Sequence, residues 1–311
     1  MSVAVLCGGV GAARFCAGLA ALDPAPATTA IVNVGDDLEL HGLRICPDLD
    51  TMTYTLAGLN DQVRGWGLRD ESFSAMDQLE RYGGATWFRL GDRDLAIHLY
   101  RTGRLVEGAG IGEVTRELAK RLGISITLVP VSEDRLRTRL ELASGEVVDF
   151  QEYFVRRGHA VAVRRVRFEG ASEARPAPGV LVALEDAQRL IIAPSNPIVS
   201  IQPVLAVSAV ADVVAKRRDQ VVAISPIVGG KALKGPADRL LVELGYEASP
   251  LGVARALARY LGTLIIDEVD AHLAPAIEAE GLRCVVTDTV MRDRAAAAAL
   301  AAVALRTPLE G

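Results

Sequence analysis

Residues 3–19 place the tightest constraint on the fold. Val3-Ala4-Val5-Leu6-Cys7 is a wholly apolar run of strand length, the pattern of a strand buried on both faces of a parallel sheet. Gly8-Gly9-Val10-Gly11 breaks that run, and helix-forming residues resume from Phe15 to Leu22. A strand, a glycine-rich turn and a helix start in this order build a phosphate cradle. Glycines let the backbone approach an anion, and the helix N-terminus offers N–H groups with no partner of their own. The same order also makes a tight structural βα turn. Two nucleotide motifs are excluded. Arg14 stands where the third glycine of G-x-G-x-x-G would be, and no Gly-Lys-Ser/Thr follows.

The rest of the chain repeats the theme. Residues 28–34, 124–129, 190–193, 221–225, 263–266 and 283–287 are further strand-length apolar runs. Helical patterns at 112–122, 204–216 and 252–260, and from 292 onward, separate several of them. This alternation predicts an α/β fold: a Rossmann-like, mostly parallel sheet flanked by helices. The texture changes at Arg137. Residues 137–142, the turn Ser144-Gly145 and residues 147–150 alternate as a β-hairpin; 150–155 reads as a short helix, and the proline-bearing 171–179 as a linker. The expected division is a nucleotide-binding core, residues 1–130 and 180–311, with a smaller α+β subdomain, 131–179, inserted into it.

Composition narrows the function classes. With 311 residues, half of them hydrophobic, the chain supports a large core. A net charge of -5 argues against nonspecific nucleic-acid binding. No apolar run is long enough for a bilayer, and the N-terminus lacks the basic flank of a signal peptide. The four cysteines, Cys7, Cys16, Cys46 and Cys284, form no C-x-x-C pair. Together these features predict a reduced, cytoplasmic protein with neither membrane nor nucleic-acid partner.

Two acidic segments bear on chemistry. Asn33-Val34-Gly35-Asp36-Asp37 ends the second strand, and Pro47-Asp48-Leu49-Asp50-Thr51 precedes a helical run at 52–59. Open α/β sheets bind ligands beyond the carboxyl ends of their strands, so both belong beside the glycine turn. Four carboxylates there repel one another without a cation. A hard divalent ion such as Mg²⁺ bridges carboxylates to phosphate oxygens, which makes Asp36, Asp37, Asp48 and Asp50 candidate metal ligands. Plainer roles compete: Asp48 or Asp50 as a helix cap, Asp36 as a ribose-binding acid.

Three later segments are candidates too. Trp87 to His98 crowds Arg89, Asp92, Arg93, Asp94 and His98 around a glycine turn, either in a site or in a surface loop of weak ion pairs. His98 there is a catalyst or a structural residue. Pro194-Ser195-Asn196-Pro197 is a second strand-to-helix turn, suited to a phosphate or base, or merely stiffened by proline with Ser200 as cap. Residues 226–236 form a third glycine turn with Lys231 and Lys234, solvated or clamping phosphate.

In combination these pieces resemble the 2-phospho-L-lactate transferase family of coenzyme F420 biosynthesis, called CofD in archaea and FbiA in actinobacteria. The resemblance runs through Gly8 to Ala13, Asn33 to Asp37, Pro47 to Thr51, Leu90 to Leu95, Ser195 to Pro197 with Ser200-Ile201, and Ile224 to Lys231. Val34 departs from it, standing where the family usually has threonine. The resemblance implies a Rossmann-like homodimer and Mg²⁺-dependent transfer of a phosphorylated three-carbon acid. The implied donor is a guanosine diphosphate conjugate with a lactyl, enolpyruvyl or glyceryl group. The implied acceptor is the ribityl hydroxyl of the deazaflavin Fo, with GMP released. It places Asp50 and Arg89 at the deazaflavin, with His98 on the same side and Asp50 and Asp37 as catalytic candidates. Gly8, Gly9, Val10, Gly11, Ser195, Asn196 and Lys231 are then the nucleotide and phosphate candidates. Asp50→Asn reads as a nearly isosteric change that spares the fold. The alternative is a YvcK-type regulator that binds nucleotide sugars without catalysis.

Overall fold

The computed structural model describes residues 1–308. Strands β1 (Ser2–Cys7) and β2 (Ala27–Val32) pair in parallel, and β3 (Leu38–Leu40) and β4 (Leu43–Ile45) form a small antiparallel hairpin. Strand β5 (Thr127–Pro130) returns to β2. Next, β6 (Arg137–Leu142), β7 (Val147–Asp149) and β8 (Val163–Glu169) make a separate antiparallel sheet in the order β7-β6-β8. Strands β9 (Arg189–Ile192) and β10 (Val221–Ile224) rejoin the main sheet. The two-residue strands β11 (Ile227–Val228) and β12 (Lys231–Ala232) form a hairpin, and β13 (Thr263–Ile266) and β14 (Arg283–Val286) complete the main sheet.

The main sheet is wholly parallel, in the order β14-β13-β10-β9-β1-β2-β5. Numbered within this sheet alone, the strands run 3-2-1-4-5-6 with a seventh at the edge. That is the nucleotide-binding order, and its direction reverses between β1 and β9. Central strands β10 and β13 are buried at every position, whereas edge strand β14 is not, as expected for a sheet with helices on both faces.

Helix α1 (Gly9–Ala20) starts inside the glycine run, earlier than the resumption at Phe15 suggested. Gly9 has φ +70°, a conformation glycine adopts without strain. Helix α2 (Pro47–Leu56) starts five residues before the expected Met52. Proline at its first position and Asp48 and Asp50 in its first turn all favour that start. After α3 (Ser74–Arg81) comes α4 (Asp92–Val106), which takes in the segment read as a glycine-turn loop. Helix α5 (Ile111–Arg121) precedes β5. The helix expected at 204–216 is broken into a π-helical turn, Pro197–Ile201, and the helices Gln202–Leu205 and Ser208–Lys216.

Apolar packing separates into two bodies. The main core joins both faces of the seven-stranded sheet and takes in Leu136, Leu140, Leu142 and Val148 of the smaller sheet. A satellite cluster of Ile45, Met76 and Leu90, packed with Leu43, Phe88 and Leu95, lies under the β3–β4 hairpin, α3 and α4. Among the described residues no single helix is long and apolar enough to cross a membrane.

Candidate active site

The reversal point between β1 and β9 is drawn tight by missing side chains. A Cβ on Gly11 would lie 2.0 Å from the carbonyl oxygen of Pro194, and one on Gly8 2.6 Å from Ser200 Cβ. The glycine turn and the turn after β9 therefore touch through their backbones. The Gly9 N–H donates to Asp48 Oδ1 at 2.8 Å, and Asn33 Nδ2 donates to Asp48 Oδ2 at 2.9 Å. Asn33 is fully buried; it also donates to the Val199 carbonyl at 3.3 Å and accepts from the Gly35 N–H at 2.8 Å. One asparagine thus fastens the end of β2 to the 197–201 turn and the start of α2. Gly8, at the N-cap of α1, has no side chain and Asp48 takes the Gly9 N–H, which leaves the later N–H groups of the first turn to meet an anion.

The four expected carboxylates do not behave as one cluster. Asp37 pairs with Arg44 at 3.0 Å, and Asp50 pairs through both oxygens with Arg101. That removes two of the four from mutual repulsion. Among the described residues no ion pair is formed by Asp36 or Asp48. Burial, then the charge of Asp48, pushes Asp36 well above the usual carboxylate range, and its Oδ1 has no hydrogen-bond partner. Burial pushes Asp48 up to about 6, although Asn33 and Gly9 hold it down in part. Asp37 also rises to about 6 through burial, against the pull of Arg44. Among the described residues no three acids, histidines or cysteines converge as a ready metal cage. From the smaller sheet, the Thr138 N–H donates to the Gly35 carbonyl at 2.7 Å, so β6 abuts the acidic turn.

A buried polar seam joins α2 to α4. Asp50 and Tyr54 lie one turn apart on α2, and Asp94, His98 and Arg101 face them at i, i+4 and i+7 on α4. The Tyr54 hydroxyl donates to Asp94 Oδ1, which also lies 3.2 Å from His98 Nε2; His98 Nδ1 is 3.1 Å from Arg101 Nη1. Burial is the largest influence on Arg101 and opposes its charge, but Asp50, Cys46 and Tyr54 together outweigh it and raise its pKa. His98 is 1% exposed, with both ring nitrogens facing these neighbours.

The other candidates scatter. The Arg89 side chain is 46% exposed, pairs with Asp77 at 2.8 Å and lies over the Phe73 ring at 5.0 Å. Neither Asp92 nor Asp94 partners it. Asp92 instead accepts from the Ser74 and Ala75 N–H groups and so caps α3. No hydrogen bond or ion pair joins Arg89 to Asp50 among the described residues. Asn196, not Ser200, is the cap of its turn, accepting from Ile198 and Val199. Ser195 is buried with an unpartnered Oγ. Lys231 is exposed on β12. Burial, then the charge of Arg14, lowers the Lys234 pKa. Two cavities, of about 300 and 340 Å³, lie at the amino ends of the strands and contain none of these residues.

Sequence reasoning missed Asn33, Arg44, Tyr54 and Arg101 as site residues. The Asp94, His98, Arg101 spacing was the available signal for the last.

A Rossmann-ordered sheet with a glycine turn, a helix N-terminus and buried acids at its reversal point has the architecture of the α/β nucleotide-binding class. The family model for 2-phospho-L-lactate transferase CofD matches residues 3–305, and the chain belongs to that family. It is accordingly a transferase of coenzyme F420 biosynthesis. Curated relatives named phosphoenolpyruvate transferase include those of Kitasatospora aureofaciens, 41% identical over 98% of this chain and 97% of the relative, and Streptomyces griseus subsp. griseus, 41% identical over 98% of each. The Mycolicibacterium smegmatis relative is 38% identical over 96% of each chain. A crystal structure of a UPF0052-family protein from Bacillus halodurans superposes with a TM-score of 0.67 at 16% identity, covering 98% of both chains. That similarity concerns the fold alone. Nothing in these comparisons favours the regulator reading.

Proposed function

We propose that this chain moves a phospho-three-carbon-acid group, the phosphoenolpyruvyl group first, from a guanosine diphosphate conjugate to the ribityl hydroxyl of the deazaflavin Fo. The observation that carries this reading is the near-complete alignment with phosphoenolpyruvate transferases at about 40% identity. The acceptor oxygen attacks the phosphorus bearing the three-carbon acid. The bond from that phosphorus to the bridging oxygen breaks, and GMP leaves with the electron pair. The hydroxyl proton is released and a phosphodiester remains. Such a transfer needs in-line positioning and charge neutralisation more than covalent help. Free N–H groups at the start of α1 and Ser195 Oγ meet the diphosphate, with Arg14 and Lys234 as cations on that side. Asp50 meets the acceptor hydroxyl and Arg89 the deazaflavin ring. Incubating the protein with Fo and each synthetic donor, and weighing the product by mass spectrometry, tests the reading. No phosphodiester from any donor would overturn it.

Mg²⁺ fits at Asp36 and Asp48. Asp36 Oδ1 is buried without a partner, both carboxyls are pushed up by burial, and neither forms an ion pair among the described residues. Bound there, the ion would neutralise charge on the diphosphate oxygens. EDTA is expected to abolish transfer and added Mg²⁺ to restore it. Full activity in metal-free, chelated buffer would remove the ion from the site.

Arg89→Lys is expected to raise the Michaelis constant for Fo and leave that for the donor nearly unchanged. The loss should be about 1–3 kcal/mol, the range of a charge-assisted hydrogen bond. If Arg89 serves only its exposed pair with Asp77, the change is about 0–1 kcal/mol and touches neither constant. Steady-state kinetics with both substrates varied decides between them.

A further inference from the structure

The seam between α2 and α4 holds five buried polar residues: Asp50, Tyr54, Asp94, His98 and Arg101. It lies where the main core, through Leu49 and Met52, meets the satellite cluster, through Leu95. Apolar residues of similar size would hold two helices together at least as well as a buried ion pair. The polar set calls for another explanation.

We propose that Arg101 is the positioning residue of the acceptor site, fixing the plane and direction of the Asp50 carboxylate, and that His98 in turn fixes the Arg101 guanidinium. The inference rests on the reading of Asp50 as the group that meets the acceptor hydroxyl. Apart from Arg101, Asp50 accepts one further hydrogen bond among the described residues, from the Cys46 N–H at 3.3 Å through Oδ2, and His98 Nδ1 lies 3.8 Å from that oxygen. One hydrogen bond leaves a carboxylate free to turn. Arg101 engages both oxygens, and a two-point hold by a planar fork fixes orientation as well as place. Lysine, a point charge on a flexible stem, cannot do this.

The chemistry of the contact sets the His98 tautomer. A guanidinium has no lone pair to offer, so Nδ1 must accept from Arg101 and the ring proton sits on Nε2, facing Asp94. Asp94 is held by the Tyr54 hydroxyl, and its own N–H donates to Glu71 Oε1 at 2.9 Å. The order Tyr54, Asp94, His98, Arg101, Asp50 is therefore a continuous series of close contacts, in which Asp94 meets His98 Nε2 at 3.2 Å by charge and proximity rather than by an aligned hydrogen bond. Each member bears on the geometry of the next, and the series ends at Asp50, the group read as meeting the acceptor hydroxyl.

Three variants of the full chain test this: Arg101→Lys, His98→Asn and His98→Gln. Each is assayed for kcat, both Michaelis constants and urea unfolding. Arg101→Lys is expected to lower kcat on the order of a hundredfold, the scale of a misplaced reacting group, with the donor constant within about twofold. Asparagine at 98 keeps an acceptor near the Nδ1 position, whereas glutamine keeps reach toward Asp94 and loses that acceptor. His98→Asn should therefore exceed His98→Gln in kcat by roughly tenfold at matched stability. Losses that simply track unfolding midpoints across the three would mean a structural seam and overturn the role. So would undiminished kcat in Arg101→Lys, equal kcat in the two His98 variants, or a raised Fo constant at unchanged kcat, which would make His98 a direct contact. A wild type that makes no phosphodiester overturns the transferase reading and the positioning role together; an active wild type beside an equally active Arg101→Lys overturns the positioning role alone.

Discussion

Asp50→Asn is expected to lower turnover by about a hundredfold or more, the scale of a lost acid–base group, and to destabilise the fold as well. The amide copies the shape of the carboxylate but not its charge. Arg101 is 3% exposed, and in this variant its guanidinium stays buried with only neutral acceptors, the Arg44 carbonyl at 3.2 Å and His98 Nδ1 at 3.1 Å. Removing one partner of a buried pair typically costs about 3–5 kcal/mol, against a total stability of about 5–15 kcal/mol. The sequence alone makes the change look harmless to the fold, because nothing near Asp50 in the chain announces a partner 51 residues away. Urea unfolding beside steady-state kinetics separates the two losses. The double variant Asp50→Leu with Arg101→Met should regain much of the stability and stay inactive, since apolar replacement of a buried pair is often neutral. An unchanged urea midpoint for Asp50→Asn would mean that the neutral acceptors suffice and that the seam is not held by charge.

What was legible followed from burial. The main-sheet strands are apolar runs because each lies between helices, and their number and parallel direction followed with little error. Helix α4 was illegible because its pattern is inverted. Asp94, His98 and Arg101 are buried, whereas Leu99 is 60% and Val106 84% exposed. A reading that looks for apolar residues on the inner face meets polar ones at its most buried positions, with Leu95 and Leu105 partly buried beside them. The acidic turn was located correctly beside the glycine turn, but its charges were counted without their partners. Arg44 and Arg101 neutralise half the set. A β-hairpin folds Arg44 back onto Asp37, and the seam brings Arg101 across to Asp50; neither approach leaves a local signature. The π-helical turn after Asn196 was equally hidden, since a single inserted residue shifts the helical register without changing composition.

Gly11→Ala is the other change expected to have a large effect, and it separates two uses of the glycine turn. Gly11 lies within α1 and is not among the glycines with positive φ, so alanine suits its backbone. The obstacle is space. The new methyl would lie 2.0 Å from the Pro194 carbonyl oxygen and 3.2 Å from its carbon. Those are backbone atoms and cannot rotate away, so α1 must retreat from the turn after β9 at the point where the sheet reverses. The cost belongs at the upper end of overpacking, about 3 kcal/mol. For a chain of 311 residues, at about 2.1 cal/mol/K of unfolding entropy per residue, that is roughly 5 °C in melting temperature. Gly9→Ala makes the control. Its φ is +70°, but the nearest atom to its Cβ is Asp48 Oδ1 at 4.0 Å, so only backbone strain of about 1–2 kcal/mol applies. If the turn served an anion alone, Gly11→Ala would raise the donor constant and melt with the wild type. If it serves packing alone, the melting temperature falls and the donor constant holds. Because the same retreat carries the free N–H groups of α1 away from Ser195, both are expected to move. Scanning calorimetry of the two glycine variants, with donor kinetics below the lower melting point, measures each share.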